Sequence, residues 1–330
     1  MKRLTRMSIA AMAAVIVLNL SRPSPAAAPE WPVLAPRPDD GTLSVMTYNV
    51  KGLPFPLAQG RPEALARIAE GLRRLRREGR QPDVILLQEA FIPEAKAIAR
   101  RAGYAHVSIG PGTDHAVAAP DERDTFLQQA AWMHGEALGR WLDSGLVILS
   151  DHPIVRTRRM AFSDAMCAGF DCLAAKGVVI AWVAVPGRSR PVAIADTHLN
   201  ARKAAGVDIA RANAAFARQA RAARDFIAAN VDADDDLIFG GDFNIGSDKA
   251  RIAATRDLVS GGAEASAEAD CSACAADLRA DVAAIRKRGK DKQFYRGAMR
   301  LSRLDVPFGA AKGGEALSDH LGYVAHYALQ

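Results

Sequence analysis

Short apolar runs alternate along the chain with longer segments of helical apolar spacing, from Gly41 onward. Runs of mainly apolar residues that are bounded by polar or turn residues are typical of strands. This pattern predicts strands at 43–48, 84–88, 145–149, 176–185, 192–197, 237–240 and 321–329. The turn residues Pro186-Gly187-Arg188 join two of these segments, which predicts that 176–185 and 192–197 form a strand pair.

Two segments have the spacing of amphipathic helices. In 63–77 the apolar residues recur at helical intervals, and 209–230 is a long segment rich in Ala and Arg. Two other stretches, 111–141 and 261–276, have no clear period, so we expect a long surface loop with some helix in the first and an irregular region in the second. Loops of this length are often functional. No internal repeat or linker divides the chain, which predicts one domain over 41–330.

The first residues have the pattern of an export signal. Lys2, Arg3 and Arg6 precede an apolar stretch over 9–20, which is too short to span a bilayer comfortably. Small residues before Ala27 permit cleavage after Ala26. We therefore predict a signal peptide at 1–26, a flexible segment at 27–40, no transmembrane segment in the mature chain, and a periplasmic or secreted protein. An uncleaved membrane anchor is the alternative.

The charge balance changes when this signal is removed. Residues 1–26 carry four basic residues and no acid, so a formal net charge of +6 becomes +2. Bulk charge near +2 does not indicate a strong polyanion binder. Two local basic clusters remain, at 73–80 and 286–292. We interpret the first as the solvated end of a helix, and the second has the better claim to contact a substrate phosphate.

The four cysteines fit an oxidising compartment, because they form two close pairs in the sequence. Local disulfides Cys167–Cys172 and Cys271–Cys274 are expected. A zinc site built from all four is the alternative, although no His accompanies the pairs.

Five short segments place polar residues where apolar strands end. Asn49 ends the first strand, and Glu89 follows the run 84–88. A carboxylate at the end of a buried strand is a reasonable ligand for Mg²⁺, which prefers oxygen donors. A surface acid and a turn-forming Asn are the ordinary interpretations of these residues.

The other three segments are DTHLN at 196–200, GGDFN at 240–244 and SDH at 318–320. Period-two geometry puts His198 and Asn200 on one side of their strand. The glycines before Asp242 permit a tight turn and leave room for a phosphate, and Asp242 and Asn244 project the same way. Taken singly, none of these segments is decisive.

Taken together and in this order, the segments resemble the endonuclease/exonuclease/phosphatase superfamily, which includes deoxyribonuclease I and bacterial sphingomyelinases. The resemblance runs from 47–49 to 318–320. It implies an α/β fold, a four-layer α/β/β/α sandwich of two stacked mixed sheets, with the site at one edge. It also implies a metal-dependent phosphoric ester hydrolase that uses Mg²⁺, with Mn²⁺ as a possible substitute.

The resemblance implies a role for each matching residue. Asn49 and Glu89 would hold the metal, with Asp242, Asn244 and Asp319 as further metal-side groups. Asp242 would orient or activate the attacking water, and Asn244 would support the phosphate. His198 would bind phosphoryl oxygens or assist the leaving group, and His320 would act as a base or as a phosphate-binding imidazolium.

Two further acids are implied as partners of these histidines. Asp291 best matches the family acid that pairs with the last His, here His320. The family more often has a β-branched residue shortly after this acid, whereas this chain has Gln293 there. Asp143 is expected to orient His198. Asn49, His198, Asn200 and Asn244 are also expected to contact the substrate.

The substrate is predicted from one further segment. Lys176-Gly177 resembles the strand start of the sphingomyelinase-like branch, and a nearby cysteine pair and export fit that branch. The lead is therefore a phospholipid or other small phosphodiester, with Lys176 in contact with it, although a solvated lysine is the ordinary interpretation. The alternatives are a periplasmic or secreted nuclease, a phosphomonoesterase and a non-catalytic phosphate-binding module. We expect a monomer.

Overall fold

The computed structural model describes residues 34, 40–117, 123–309 and 316–330. The predicted signal peptide lies outside the described residues, as does the predicted flexible segment apart from Leu34 and Asp40. No helix in the described ranges combines the length and apolar character that crossing a membrane requires.

The first sheet has six strands in the order β11-β12-β1-β2-β4-β3. Strands β1 and β2 are parallel, and the other neighbours are antiparallel. The strand bounds are β1 Thr42–Asn49, β2 Val84–Gln88, β3 His106–Ile109, β4 Val147–Ser150, β11 Met299–Asp305 and β12 Tyr323–Leu329. This sheet is therefore mixed, as expected.

The second sheet also has six strands, in the order β5-β6-β7-β8-β10-β9. Strands β7 and β8 are parallel, and the other neighbours are antiparallel. The strand bounds are β5 Ile154–Ala161, β6 Gly177–Val183, β7 Val192–His198, β8 Leu237–Asp242, β9 Ala263–Glu264 and β10 Asp291–Arg296.

Helices cover the outer faces of the two sheets. The described α-helices are α1 Arg61–Arg77, α2 Pro93–Lys96, α3 Ile98–Ala102, α4 Thr125–Gln128, α5 Ile209–Asn230, α6 Lys249–Thr255, α7 Ala265–Glu268 and α8 Ala276–Arg288. The described part of the chain also has three short 3-10 helices, at Trp132–His134, Asp164–Met166 and Gly169–Leu173. Helix α1 packs on the first sheet and α5 on the second, which completes the expected α/β/β/α sandwich.

The strands near the middle of each sheet are buried on both faces. In β1, Val45 belongs to the core between the sheets, whereas its neighbour Met46 packs toward α1. In β7, Ile194 faces the inter-sheet core and Ala195 faces α5. Burial on both faces explains why these strands appear as continuous apolar runs in the sequence.

The predicted long loop at 111–141 contains, in its described part, helix α4 and one 3-10 turn. The second irregular region, 261–276, contains β9 and α7. Both expected disulfides are formed, Cys167–Cys172 and Cys271–Cys274, and no cysteine is free for a zinc site.

The basic cluster at 73–80 is not wholly solvated, contrary to the prediction. The guanidinium of Arg76 is buried, donates to both carboxylate oxygens of Asp151, and lies over the Tyr104 ring. Arg76 is on the face of α1 that turns toward the sheet, so helical position rather than charge decided its burial.

Candidate active site

The two parallel strand pairs place the polar strand ends at one edge of the sandwich. Because β1 and β2 run in the same direction, Asn49 and Glu89 emerge side by side. Likewise, β7 and β8 are parallel and in register, with His198 opposite Asp242. The two sheets stack, so the four side chains converge at the carboxyl ends of these strands.

The antiparallel neighbours bring the last two residues to the same edge. Strand β10 begins with Asp291 directly opposite Asp242 on β8. His320 lies just before β12, which runs antiparallel to β1. Ser318 holds the segment before β12 against the end of β1, because its hydroxyl donates to the Asn49 carbonyl at 2.7 Å and accepts from the His320 backbone N–H at 3.2 Å.

Asp242 is at the centre of the cluster. One of its carboxylate oxygens accepts from Asn49 Nδ2 at 3.0 Å. The same oxygen lies 3.6 Å from His198 Nε2 and 3.5 Å from His320 Nε2. The other oxygen accepts from the Asn244 backbone at 3.0 Å. Asp242 therefore contacts residues from four strand ends and can present a carboxylate to a molecule at this edge.

Asp291 and His320 form a buried pair, as the resemblance implied. His320 Nδ1 lies 2.9 Å from both carboxylate oxygens of Asp291, which leaves Nε2 directed toward Asp242. Burial lowers the pKa of His320, but the charges of Asp242 and Asp291 raise it more, and the net pKa is about 9. In the metal-free protein His320 is therefore an imidazolium at neutral pH.

His198 has the opposite protonation state. Burial, with a smaller contribution from the charge of Lys176, lowers the pKa of His198 to about 3. Its Nδ1 is buried and has no hydrogen-bond partner among the residues that the structure describes. At neutral pH His198 is therefore an uncharged imidazole next to a charged one.

The carboxylates show a similar contrast. Burial raises the pKa of Asp242, but the charges of His320 and His198 outweigh it and hold the pKa below its usual range. Burial raises the pKa of Glu89, and the hydrogen bond from Asn49 only partly opposes this. A nearby cation would therefore favour the ionised form of Glu89.

The chemistry of these donors fits a divalent cation. Glu89, His198 and Asp242 each offer a ligand atom, and these atoms lie within 4.8 Å of one another. Asn49 Nδ2 donates to both Glu89 and Asp242, at 2.7 and 3.0 Å, so one neutral amide bridges two carboxylates that repel each other. Mg²⁺ and Mn²⁺ prefer oxygen ligands and would balance this charge.

Two predicted site residues, Asp143 and Asn200, have partners other than those expected. Asp143 does not reach His198: it forms an ion pair with Lys96 and accepts from the Gly145 backbone at 3.0 Å. Asn200 is fully buried, and its side chain bonds to the backbone of Ala168 and Ala201 rather than facing a substrate.

Asp319 is at the rim of the site. Its side chain is 57% exposed and lies 3.6 Å from Lys51. It does not belong to either group of candidate ligands found among the described residues. The SDH segment turns at this point, so His320 is directed inward and the preceding acid outward.

Lys176 is buried rather than solvated. Its Nζ lies 3.1 Å from Asp171 and donates to the Leu199 carbonyl at 3.3 Å. Asp171 is in the short loop that the Cys167–Cys172 disulfide closes. The sequence showed Lys176 at a strand start, but nothing in its pattern indicated Asp171 as the partner.

The two glycines of the 240–244 segment do not make room for a phosphate. A Cβ at Gly240 would lie 2.4 Å from Leu86 in the other sheet. Gly241 has φ of +142°, and a Cβ there would lie 2.1 Å from the Thr197 carbonyl. These glycines instead permit close approach to the neighbouring strand and sheet.

Most of the basic cluster at 286–292 is used in structural contacts. Arg286 donates to the Ser266 carbonyl, Arg288 donates to the Asp319 carbonyl, and Lys292 pairs with Glu264 at 2.9 Å. Within this cluster, the charge of Lys290 lowers the pKa of both Asp242 and His320, so this lysine acts on the site through its charge.

The family model described as the endonuclease/exonuclease/phosphatase family matches residues 46–320. No curated protein matches the chain. Among solved structures, sphingomyelinase C from Streptomyces griseocarneus is similar, with 22% identity, a TM-score of 0.58, and coverage of 86% of this chain and 99% of that one.

Two other solved structures have comparable similarity. Beta toxin from Staphylococcus aureus, a mutant with bound magnesium ions, has 17% identity and a TM-score of 0.55 over 86% of this chain and 98% of that one. D. rerio TDP2 complexed with a single-strand DNA product has 18% identity and a TM-score of 0.56, and the match covers 87% of this chain and 99% of that one. At these identities the structures establish the fold.

Proposed function

Because the chain belongs to the endonuclease/exonuclease/phosphatase family, we propose that it is an exported hydrolase of a small phosphodiester, with a phospholipid headgroup as the leading substrate. Members of this family are metal-dependent phosphoric ester hydrolases. The observation that carries the proposal is the position of Asp242 between the imidazoles of His198 and His320, the second of which is backed by Asp291.

Phosphodiester hydrolysis places negative charge on the phosphoryl oxygens and on the leaving oxygen. His320, held as an imidazolium by two carboxylates, can donate Nε2–H to a phosphoryl oxygen. His198 can bind a second oxygen from its Nε2 as a neutral donor. Asp242 can accept a hydrogen bond from the attacking water and orient it toward phosphorus.

Glu89 and Asp242 are the residues whose carboxylates would hold Mg²⁺ or Mn²⁺, and Asn49 would orient both carboxylates through its amide N–H groups. When bound, such an ion stabilises charge on the phosphoryl oxygens and lowers the pKa of a coordinated water. Asn244 supports this arrangement in two ways: its backbone donates to Asp242 at 3.0 Å, and its amide donates to the Leu199 carbonyl at 3.1 Å.

A phospholipid headgroup is favoured by two features. Sphingomyelinase C and beta toxin are among the similar structures, and the buried Lys176 lies close enough to His198 to affect its pKa. Lys176 is paired with Asp171, so contact with a substrate phosphate would require it to exchange this partner.

A nuclease is the second candidate, and a basic edge strand favours it. Strand β5 exposes Arg156, Arg158 and Arg159 and carries no acid. Strand β5 runs antiparallel to β6, so its last residue, Ala161, lies opposite Gly177 at the start of β6. The start of β6 lies beside the end of β7, at the edge of the sheet that carries the site. A local basic strip of this kind suits a phosphate backbone even when the net charge is small.

The chain from Ala27 onward would be assayed with Mg²⁺ or Mn²⁺ on bis-p-nitrophenyl phosphate, sphingomyelin and plasmid DNA, with EDTA controls. EDTA-sensitive cleavage that prefers sphingomyelin supports the lipid-headgroup proposal. Preferred cleavage of DNA that weakens steeply with added salt moves the assignment to the nuclease. No cleavage with either metal would refute the hydrolase proposal and favour a phosphate-binding module.

A further inference from the structure

The largest fully buried side chain of the described residues is a charged one, Arg251 on helix α6. Burying an arginine is costly unless its charge and its five donors are satisfied. Its guanidinium lies 4.4 Å from the centre of the Phe216 ring on α5. Burial lowers the pKa of Arg251 to about 10, so the group keeps its proton at neutral pH.

The hydrogen-bond acceptors of Arg251 are carbonyl oxygens and one amide. Nη1 donates to the Asn200 carbonyl at 2.7 Å and to the Asn244 carbonyl at 2.8 Å. Nη2 donates to the Ala201 carbonyl at 3.3 Å. Within the described ranges, no carboxylate accepts a hydrogen bond from this guanidinium.

The remaining donors reach helix α5. Nε donates to Asn213 Oδ1 at 2.7 Å, and Nη2 also approaches the Ala212 carbonyl at 3.4 Å. The backbone of Arg251 is itself held at the start of α6, where Asp248 caps the helix and also accepts from Asn213 Nδ2 at 3.2 Å. One cation therefore joins two loops and two helices.

The two loops follow the strands that carry the proposed catalytic residues. Asn200 comes two residues after His198, and Asn244 comes two residues after Asp242. Asn244 adopts φ of +50°, a conformation that non-glycine residues rarely adopt. The carbonyl of Asn244 accepts from Arg251, and its backbone N–H donates to Asp242. Asn244 therefore links the guanidinium to the central carboxylate through two hydrogen bonds.

We propose that Arg251 is a positioning residue for the site: its guanidinium holds the carbonyls after β7 and β8 at a fixed separation, and thereby sets the orientation of Asp242 relative to His198. This inference deepens the proposed function and rests on it for the catalytic consequence. Arg251 does not touch the substrate, since it is fully buried behind the two loops.

Arg76 offers a matched control. It is also a buried arginine on a helix, but it pairs with Asp151 at the opposite edge of the sandwich. Arg251→Met and Arg76→Met each remove one buried guanidinium. We expect Arg251→Met to lower kcat for bis-p-nitrophenyl phosphate about 10²-fold with a smaller change in KM, because small misplacements of catalytic groups have effects of that size. Arg76→Met should leave kcat unchanged below its melting temperature.

Histidine ¹⁵N NMR of the metal-free protein supplies a readout that does not depend on turnover. Arg251→Met should shift the imidazole signals of His198 and His320 and their titration, whereas Arg76→Met should not. Arg251→Lys retains the charge but lacks the planar fork that bridges two carbonyls. We expect it to recover stability while kcat stays low, and it serves as the test variant if Arg251→Met does not fold.

Variants of Arg251 that melt earlier but keep the wild-type kcat and imidazole signals would reduce this residue to a structural role and overturn the proposal. If the wild-type chain cleaves no phosphodiester, the proposed function fails separately. The imidazole signals then still decide whether Arg251 sets the site geometry: a selective shift supports it, and unchanged signals overturn it.

Discussion

Buried charges lie at both edges of the sandwich, but the two edges use them differently. At the edge where β2 begins, Arg76 binds both oxygens of Asp151, and Asp83 accepts from the backbone and hydroxyl of Ser44 at 2.8 and 2.7 Å. At the edge where β2 ends, the carboxylates of Glu89, Asp242 and Asp291 surround two imidazoles: His198 is neutral and His320 is a positively charged imidazolium.

The difference separates a structural cluster from a functional one. Each carboxylate at the first edge has donors of good geometry, which is the requirement for a stable buried pair. At the second edge Glu89 and Asp242 share one amide donor, and His198 Nδ1 has no partner within the described part of the chain. Charge that is gathered but incompletely balanced is typical of sites that bind a cation or a charged substrate.

The largest expected effect is the loss of turnover in Asp242→Ala. Asp242 is the group that contacts Asn49, His198, His320 and Asn244, so its removal should lower kcat about 10²–10⁴-fold. The fold should persist, because Asp242 is not part of any of the hydrophobic clusters that form the core. Phosphodiesterase assays together with circular dichroism check this, and near-wild-type turnover in the folded variant would refute the site assignment.

Arg76→Met should show the reverse behaviour. Removing one partner of a buried ion pair leaves Asp151 uncompensated, which destabilises proteins by about 3–5 kcal/mol. Urea unfolding would measure the change in the free energy of unfolding, and kcat at low temperature is the accompanying control. Unchanged stability would mean that the two edges do not differ as described.

The pH dependence of stability tests the protonated state of His320. Its folded pKa of about 9 lies above the unfolded value of 6.5. The stability that the ion pairs provide is therefore fully present below pH 6.5 and is lost as the pH rises toward about 9. Asp291→Asn should weaken this loss. Urea titrations in EDTA from pH 6 to 10 would measure the free energy of unfolding of the wild type and of Asp291→Asn. Identical pH profiles for the two proteins would contradict the assignment.

Metal binding should stabilise the folded protein through the carboxylates at the second edge and not through those at the first. Mg²⁺ that binds the native carboxylates should raise the melting temperature, by the equivalent of about 2.7 kcal/mol at 100 times its dissociation constant. Glu89→Gln should reduce this shift, whereas Asp151→Asn should retain it after allowance for its lower starting stability. Equal shifts in both variants would indicate nonspecific binding.

The smallest effect is expected at the rim. Asp319 is 57% exposed and pairs loosely with Lys51, and exposed pairs contribute at most about 1 kcal/mol. Asp319→Asn should therefore change kcat by less than about fivefold. A loss as large as that of Asp242→Ala would restore Asp319 to the set of metal ligands that the family resemblance implied.

Most of the central strands were predictable because burial on both faces makes them continuous apolar runs, whereas the layered fold was implied by the family resemblance. The predicted segments 84–88 and 209–230 coincide with β2 and α5. The edge strands β3 and β5 were not predicted, because one face of each is exposed and their sequences lack a long apolar run: β5 has the sequence IVRTRRMA. Edge strands commonly carry charges of this kind.

The site was predictable where a residue ends a central strand. Asn49, Glu89, His198 and Asp242 lie at strand ends that the sequence indicated, whereas their roles and that of Asp291 followed from the family resemblance. The partners of Asp143 and Asn200 were not predictable, because hydrogen bonding to Lys96 or to the Ala168 backbone depends on how distant loops pack. The same holds for Asp171 beside Lys176.

The sequence by itself determined the main strand and helix segments and the polar residues at the strand ends, because apolar periodicity is a local property. The order of its motifs resembled one family, and that resemblance implied the layered fold. Only the tertiary structure decided how these residues are charged and held. His198 and His320 are both histidines near Asp242, yet burial keeps one neutral while a second carboxylate keeps the other protonated. Arg251 has no motif at all, and its contacts depend on two loops that meet only after the chain has folded.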